Sequence, residues 1–230
     1  MATGKNGGGG MSGERRARLR LEISREAARL FWAQGVAATS GDQIAEAVGL
    51  STRTIWRHFR SKESCAEPIV HRGVVTLLRV LRRWPRHLSL EDHLVAELAA
   101  IRGGMPSAEL EDELLGTKMI LLADTEPALR TAWLMACDET EREMTAIIGE
   151  RLGRAADDLE VRTHAAAAAA VVRVLDEHIG AAVVADIGGT EYRDVLVVSR
   201  SFAHAIHTAT CGIVGEPVEP VEPAEPAGAF

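Results

Sequence analysis

The strongest chemical signal in the sequence is a group of hydrogen-bond donors and cations on one short predicted helix that ends near Phe59. Ile55 and Phe59 lie four residues apart and predict its buried face, which leaves the polar side chains on the outer arc. The outer residues are Thr52, Arg53, Thr54, Trp56, Arg57 and His58. Such groups can bind base edges in the major groove of DNA and phosphate oxygens. We interpret this helix as a candidate DNA reader, and a solvated surface helix is the alternative.

A second predicted helix precedes the reader and positions it. Ile44, Ala45 and Val48 give that helix one apolar face. Gly49 ends it, because glycine adopts positive φ without steric cost, and Ser51 is a favoured N-cap residue for the reader. Two short helices joined by a tight turn are typical of a helix-turn-helix motif.

The position of each polar residue along the reader predicts its partner on DNA. The first residues of the second helix meet base edges in such motifs, so we expect base contacts from Thr52, Arg53 and Thr54. Residues further along are placed to reach phosphate oxygens. These candidates are Trp56, Arg57, His58 and Lys62.

Residues 20–65 resemble the DNA-binding domain of the TetR family of bacterial transcriptional regulators. The resemblance rests on three segments in order, which are ARLFWAQGVAATS at 28–40, IAEAVGLS at 44–51 and TIWRHFRSKE at 54–63. It implies a DNA-binding regulator that is not an enzyme.

The resemblance also implies roles for single residues. Thr39 or Ser40 would hold a phosphate at the N-terminus of the second helix of the domain. Trp56 departs from the family pattern, which usually has Tyr, so an indole N–H would replace the phenol as the donor to phosphate. Asp42 is a second departure, because basic or neutral residues are frequent there, and a base contact from this position is not expected.

Charge is distributed unevenly along the 230 residues. Residues 1–86 carry 16 Lys and Arg against 7 Asp and Glu, a formal charge of +9, whereas the remainder carries 10 against 26, or −16. The basic part indicates a double-stranded DNA partner, since cations neutralise phosphates and release counterions. The run of arginines from Arg15 to Arg20 is either an arm that touches the DNA backbone or a solvated arm.

Glycine, proline and capping residues divide the chain into four predicted segments. Residues 1–13 form a glycine-rich flexible leader, and residues 14–62 form the helix-turn-helix domain. Residues 63–215 form a helical regulatory and dimerisation domain, and residues 216–230 form an acidic, mobile Glu-Pro tail. A peptide motif that binds a partner is the alternative for the tail.

Helical periodicity continues beyond Lys62 with almost no β-like alternation. We therefore predict an all-α fold of about nine helices, in which a three-helix helix-turn-helix domain precedes a larger ligand-binding and dimerisation domain. The TetR resemblance implies the same number. The predicted helices beyond the reader are 63–84, 90–104, 107–123, 125–152, 157–187 and 190–213.

Two of these helices carry apolar stripes suited to self-association. The residues of the stripes are Ala165, Ala168, Ala169, Val172, Leu175 and Ile179 on one helix and Val195, Phe202 and Ile206 on the other. Small side chains let helices approach closely, so we expect a four-helix bundle with a second copy of the chain. A core within one chain is the alternative. A homodimer would space two readers about 34 to 36 Å apart, as a pseudo-palindromic operator requires.

Between the reader and these helices, Met119, Leu122 and Trp133 predict a pocket for an apolar ligand. Adaptable methionine side chains and an aromatic ring suit such a ligand, although a plain core is the alternative for each residue. The resemblance to TetR regulators, whose larger domain binds an inducer, favours the pocket.

The sequence gives little support for catalysis or for the binding of a metal or cofactor. His178, His204 and His207, with Glu177, could in principle converge on a metal, but no ligand spacing such as HExxH or paired cysteines supports them. No nucleophile elbow or P-loop occurs either. We predict no metal and no cofactor, and a helical enzyme is a remote alternative.

Three cysteines, Cys65, Cys137 and Cys211, lie far apart and predict neither a disulfide framework nor a zinc site. Inert thiols are the preferred interpretation over redox sensing. The absence of 18 consecutive apolar residues and of a signal peptide predicts a cytoplasmic protein without membrane association.

Together these features predict a homodimeric transcriptional repressor that binds an operator and is released by a small, apolar effector. The alternative is a DNA-binding regulator whose helical domain binds a protein partner instead.

Overall fold

The structure is a computed structural model that describes residues 8–185 and 194–218. Over these residues it comprises nine α-helices and one short 3-10 helix, with no strand, and it confirms the all-α prediction. The helices are α1 Gly8–Gln34, α2 Gly41–Ala47, α3 Thr52–His58, α4 Glu67–Leu81, α5 Leu90–Gly104, α6 Ser107–Leu122, α7 Pro127–Leu152, α8 Leu159–Val184 and α9 Val195–Ala209. Helices α1–α3 form the helix-turn-helix domain, and we call α4–α9 the body.

Side-chain caps explain where several helices begin. Ser40, Ser51 and Ser89 each accept a hydrogen bond from the backbone N–H three residues further on, which satisfies a donor that the helix itself leaves free. Gly153 ends α7 in the left-handed region, at φ 64°. The predicted starts after Ser89 and at Ser107 are confirmed.

Other predicted boundaries differ from the structure. The connecting helix predicted over 63–84 is divided into the 3-10 helix Glu63–Ala66 and α4, which has Pro68 in its first turn. The predicted helix end at Ile187 and start at Thr190 lie outside the described residues. Within them, α9 begins after Asp194, whose carboxylate accepts from the backbone N–H of Leu196.

Parts of the predicted leader and tail, residues 8–13 and 216–218, are ordered among the described residues. Helix α1 begins at Gly8, so residues 8–13 are helical, because each added residue extends a helix that is already nucleated. At the other end the backbone N–H of Val218 donates to the carbonyl of Arg86 at 2.7 Å. Residues 216–218 are therefore held against the body, and residues 219–230 lie outside the described range.

A buried arginine organises this C-terminal contact, which we call the C-terminal clasp: residues 84–88, 214–218 and Arg151. The Arg151 guanidinium lies 3.4 Å from the Trp84 ring centroid and donates to the carbonyls of Pro85 and Glu216, both at 3.0 Å. Longer bonds of 3.3 to 3.4 Å reach three further carbonyls, of Trp84, Arg86 and Leu88. Burial and the nearby Arg86 lower the pKa of Arg151 to about 10, so it stays protonated at neutral pH.

Two hydrophobic clusters form the core. The first joins the helix-turn-helix domain to α4, α6 and α7 through Phe31, Ile55 and Met119. The second lies among α4, α5, α7, α8 and α9 and includes Leu94 and Phe202. Burial of apolar side chains from both units in the first cluster fixes the reader against the body.

The second cluster contains most of the residues that were predicted to form a dimer interface. Ala165, Ala168, Ala169, Val172, Phe202 and Ile206 are buried within one chain, and Leu175, Ile179 and Val195 are partly buried. These six side chains are each at most 8 % exposed and offer little surface to a second copy, so the alternative of a core within one chain fits them better. Their small size instead lets α8 pack closely within the protomer.

Polar contacts also attach α1 to the body. Arg25 binds Asp112 of α6 through two hydrogen bonds, from Nε at 2.6 Å and Nη2 at 2.8 Å. Arg72 of α4 reaches the same carboxylate at 3.2 Å, and Asp112 is only 1 % exposed. The backbone N–H of Ile69 donates to the Ser24 hydroxyl at 3.0 Å. One buried carboxylate thus joins α1, α4 and α6.

Candidate functional site

The turn between α2 and α3 has the geometry of a helix-turn-helix. Gly49 adopts φ +65° after α2, which lets the chain reverse before Ser51 caps α3. Ile44 and Ile55 are fully buried where the two helices meet α1, as their spacing predicts. The apolar face is therefore inward, and the opposite face of α3 is exposed.

The three predicted base-reading residues lie side by side at the start of α3, but they are not equally available. The Thr52 hydroxyl donates to Asp42 at 2.6 Å, and the Thr54 hydroxyl lies 2.9 Å from that of Ser51. Arg53 is exposed. Its guanidinium is the group in this trio best placed to bind a guanine edge.

The Trp56 indole lies directly over α2. A Cβ atom at Gly41 would be 2.2 Å from Cζ2 of Trp56, well inside the contact distance of two carbons. The ring is nevertheless 44 % exposed, so one edge remains accessible. Glycine at position 41 is what allows an indole at position 56.

Lys62 and Thr39, two of the predicted phosphate contacts, have partners inside the domain, and their binding to phosphate stays a prediction. The Lys62 ammonium donates to the carbonyls of Val36 at 2.7 Å and Thr39 at 2.8 Å, so it closes the α1–α2 connection. Thr39 is 2 % exposed, and its hydroxyl donates to the carbonyl of Gly35 at 2.9 Å. Both groups have internal partners whose loss would leave backbone carbonyls unsatisfied.

Of the remaining predicted phosphate contacts, Ser40 and Arg57 are exposed, whereas both ring nitrogens of His58 are buried. Ser40 forms a reciprocal capping box with Gln43. Neither ring nitrogen of His58 has a hydrogen-bond partner among the described residues. Burial, followed by the charges of Arg57, Arg16 and Arg20, lowers the pKa of His58, so the free protein carries a neutral imidazole there.

The basic run before the reader is part of α1 rather than a separate arm. Arg15, Arg16 and Arg18 are exposed. Arg20 donates to the carbonyl of His58, and its guanidinium lies 4.4 Å from the Phe59 ring centroid. Arg20 therefore satisfies a carbonyl that the end of α3 leaves free.

The body contains a cavity of about 540 Å³ lined by residues of α4–α9. Trp133 lines it, and its indole N–H donates to Glu177 at 2.9 Å. Met119 and Leu122, the other two residues of the predicted pocket, do not line this cavity. Met119 is fully buried in the first core cluster, and Leu122 packs against the same cluster.

Three charged residues line the cavity, and the sequence did not single them out. Arg102 of α5 binds Glu113 of α6 at 3.3 Å, and both side chains are more than a third exposed. Asp176 of α8 is the third. Burial, and then the charge of Glu177, raise the pKa of Asp176 to about 7.

The groups that might have bound a metal do not converge. No three His, Cys, Asp or Glu side chains within residues 8–185 and 194–218 are placed to hold a metal ion. Glu177 binds Arg130 at 2.7 Å instead, and His207 lies 3.4 Å from Glu216.

None of the helices described is both long and apolar enough to cross a membrane.

The cysteines are free in the described structure. Burial raises the pKa of both Cys65 and Cys137 to about 12, so each is a protonated thiol at neutral pH. Cys211 is exposed.

Comparison with known proteins agrees with this geometry. Residues 23–69 match the profile of the bacterial regulatory proteins of the tetR family, and residues 88–189 match that of the MftR C-terminal domain. The HTH-type transcriptional regulator TcmR of Streptomyces glaucescens is 33 % identical over 153 residues, which cover 66 % of this chain and 68 % of TcmR. The chain belongs to the TetR family.

Solved structures show the same TetR fold at low sequence identity. GusR of Salmonella enterica is 18 % identical, with a TM-score of 0.53 over 86 % of this chain and 95 % of GusR. FadR of Thermus thermophilus, described as a TetR-family transcriptional repressor, is 18 % identical, with a TM-score of 0.52 over 91 % of this chain and all of FadR. Membership of the TetR family makes this chain a transcriptional regulator with a DNA-binding helix-turn-helix.

Gly41→Ala should weaken DNA binding by this TetR-family regulator about tenfold for all sequences. The added methyl displaces the Trp56 indole, and with it the charge-assisted hydrogen bond to phosphate that we predict for its N–H, worth roughly 1.5 kcal/mol. Fluorescence anisotropy with labelled duplexes measures the change.

Trp56→Tyr provides the control for this variant, since the smaller ring leaves room for the methyl. In the Trp56→Tyr background, Gly41→Ala should cost less than a factor of about three. An equal loss in both backgrounds would show that the clash is not the cause.

Proposed function

We propose that this regulator is a repressor that binds a pseudo-palindromic operator as a homodimer and leaves it when a small, mainly apolar effector enters the cavity. The observation that carries the proposal is the position of α6. This helix lines the cavity through Thr117 and Ile120, and it holds α1 through Asp112. A ligand that moves α6 would therefore move the reader.

Close packing leaves α6 little freedom to move. A Cβ at Gly116 would be 2.9 Å from the Ile69 carbonyl of α4, and a Cβ at Gly180 of α8 would be 2.9 Å from Thr117. Helix α6 is thus in close contact with helices on two sides. A ligand bound between α6 and α8 favours a conformation in which the distance between the two readers of the dimer is different. The ligand weakens DNA binding only to the extent that its affinity for this conformation exceeds its affinity for the DNA-bound one.

Two structural neighbours support a ligand-binding body. The FadR structure is a complex with lauroyl-CoA. The multidrug binding protein EbrR, 19 % identical with a TM-score of 0.51, was solved as a complex with imidazole. Both proteins share the fold, and the cavity of about 540 Å³ in this chain is within the usual size range of small-molecule pockets.

We propose that the homodimer interface lies on the outer faces of α8 and α9. The outer faces of α8 and α9 carry exposed apolar residues, including Val174 at 53 % and Leu196 at 39 % exposure. Ala170 is also exposed on α8. Small and apolar side chains on the outside, unlike the buried stripe, have surface that a second copy can cover.

Selection of bound fragments from a random pool of duplex DNA tests the DNA and dimer parts together. We expect inverted half-sites whose centres are about 34 to 36 Å apart or a multiple of that distance. A single asymmetric site would contradict the homodimer. Gel shifts of the selected operator with a library of apolar compounds test release, and a complete lack of response would favour a protein partner instead.

Arg53→Ala should relax the base preference at one position of each half-site, because a bidentate contact to a base is lost. The expected cost is about 1 to 3 kcal/mol per site for the preferred base. Repeating the selection with the variant measures it.

Arg57→Ala is the matched control, since Arg57 is an exposed cation further along the same helix. It should weaken all sequences alike and lower the slope of log affinity against log salt by about 1 per subunit. If both variants lost affinity without any change in preferred sequence, the division into base and phosphate contacts would be wrong.

A further inference from the structure

The charged groups in the cavity leave one carboxyl without a partner. Arg102 and Glu113 bind each other at the rim, so their charges cancel locally. Asp176 has no hydrogen bond and no ion pair with any residue that the structure describes. A carboxyl in an apolar wall without a partner is unfavourable, and natural proteins seldom keep one.

The nearby cations cannot supply that partner, because the adjacent carboxylate already uses them. Glu177 accepts from Arg130 at 2.7 Å and lies 3.4 Å from Arg173. It also accepts from the Trp133 indole. These hydrogen bonds and charges outweigh the effect of burial and lower the pKa of Glu177. Glu177 is therefore bound by other residues of the protein, whereas the preceding acid on α8, Asp176, lines the cavity without a partner.

The rest of the wall is mainly apolar. Leu77, Leu94 and Ile120 line it together with the aromatic rings of Trp133 and Phe202. These surfaces favour an apolar ligand body, and ring faces also attract cations.

We propose that the cavity selects ligands that join an apolar body to a positively charged nitrogen, with Asp176 as the anion that binds this nitrogen. The inference rests on the proposed ligand-binding function and narrows its ligand class. An anionic ligand would meet two carboxyl groups and only Arg102, which is already paired. An uncharged ligand would leave the carboxyl of Asp176 without an ionic partner.

Three probes with the same ten-carbon chain separate these cases: decyltrimethylammonium, decan-1-ol and decanoate. Isothermal titration calorimetry with the full-length protein, below the micelle concentrations and at mildly alkaline pH, measures each affinity. The cation should bind at least about tenfold more tightly than the alcohol or the carboxylate, as expected for a partly desolvated ion pair. Equal or tighter binding of the alcohol or the carboxylate overturns the inference while leaving an apolar cavity site intact.

Asp176→Asn keeps the shape of the side chain and removes its charge. This variant should bind the cation within about threefold of the alcohol, with the affinity for the alcohol unchanged. Asp157→Asn removes one negative charge from an exposed site outside the cavity and should keep the full preference for the cation. Retention of the preference in Asp176→Asn overturns the assignment of this residue. Failure of all three probes to bind the unmodified protein overturns both the inference and the proposed ligand-binding function.

Discussion

Replacing Arg151 by methionine is expected to lower the free energy of unfolding by about 3 kcal/mol. Met fills a similar volume but donates no hydrogen bond, so the carbonyls of Pro85 and Glu216 lose a charged donor at 3.0 Å. Each such bond is worth about 1.5 to 3 kcal/mol, and relief from burying a cation offsets part of the loss. Urea unfolding at unchanged m-value measures the difference.

Arg154→Met is the matched control three residues away. Arg154 forms surface ion pairs with Asp158 and Glu160 and is 42 % exposed, so its loss should leave the unfolding midpoint almost unchanged. Arg151→Lys should fall between the two, because an ammonium group still donates to some of the carbonyls. If Arg151→Met unfolded at the same urea concentration as the unmodified protein, the C-terminal clasp would contribute nothing to stability.

Asp112→Asn is expected to cost about 2 kcal/mol of stability and to uncouple α1 from α6. The carboxylate is 1 % exposed and accepts two hydrogen bonds from Arg25, so the pair is stronger than an ion pair on the surface. The cost stays near 2 kcal/mol because the Arg25 and Arg72 side chains, 30 % and 28 % exposed, remain hydrated when Asp112 loses its charge. A double-mutant cycle with Arg25→Met should give a coupling energy of about 1.5 to 2 kcal/mol.

Arg29 and Glu111 form the control pair, since they join the same two helices at 2.7 Å with side chains 40 % and 52 % exposed. Their coupling energy should stay below about 1 kcal/mol. Similar coupling in both cycles would mean that the buried carboxylate has no special part in holding the reader against the body.

Local features of the fold could be predicted from the sequence because they depend on neighbours in the chain. Ser51 and Ser89 cap the helices that they were expected to cap, and Gly49 makes the turn. Ile44 and Ile55 are buried as their spacing requires. Capping and amphipathic spacing act within a few residues, so sequence alone is sufficient there.

The role of a cationic side chain depends on the groups next to it in the folded protein. The sequence does not show these neighbours, so the candidate site could be predicted only in part. Lys62 has the residue type of a phosphate contact, but carbonyls 23 and 26 residues earlier in the chain surround its ammonium group. Thr39 is similar, because its hydroxyl binds inside the domain. No spacing rule reports such contacts.

Periodicity also identifies a buried face without identifying its partner. Ala165 and Val172 were correctly grouped as one apolar face of α8, but the face packs inside the chain rather than against a second copy. The sequence pattern gives no signal for Asp112 and Asp176 for a related reason. The burial and the partners of a single acidic residue in a helix depend on other helices, which are distant in the sequence.

The contact between Gly41 and Trp56 constrains the order in which this reader can change by mutation. A methyl group at position 41 would meet the indole at 2.2 Å, so any larger residue there must follow the replacement of the tryptophan, not precede it. A lineage that acquires the two substitutions in the reverse order passes through an intermediate with a displaced ring and weakened DNA binding. Among descendants of this chain, a residue larger than glycine at position 41 should therefore occur only where position 56 is no longer tryptophan.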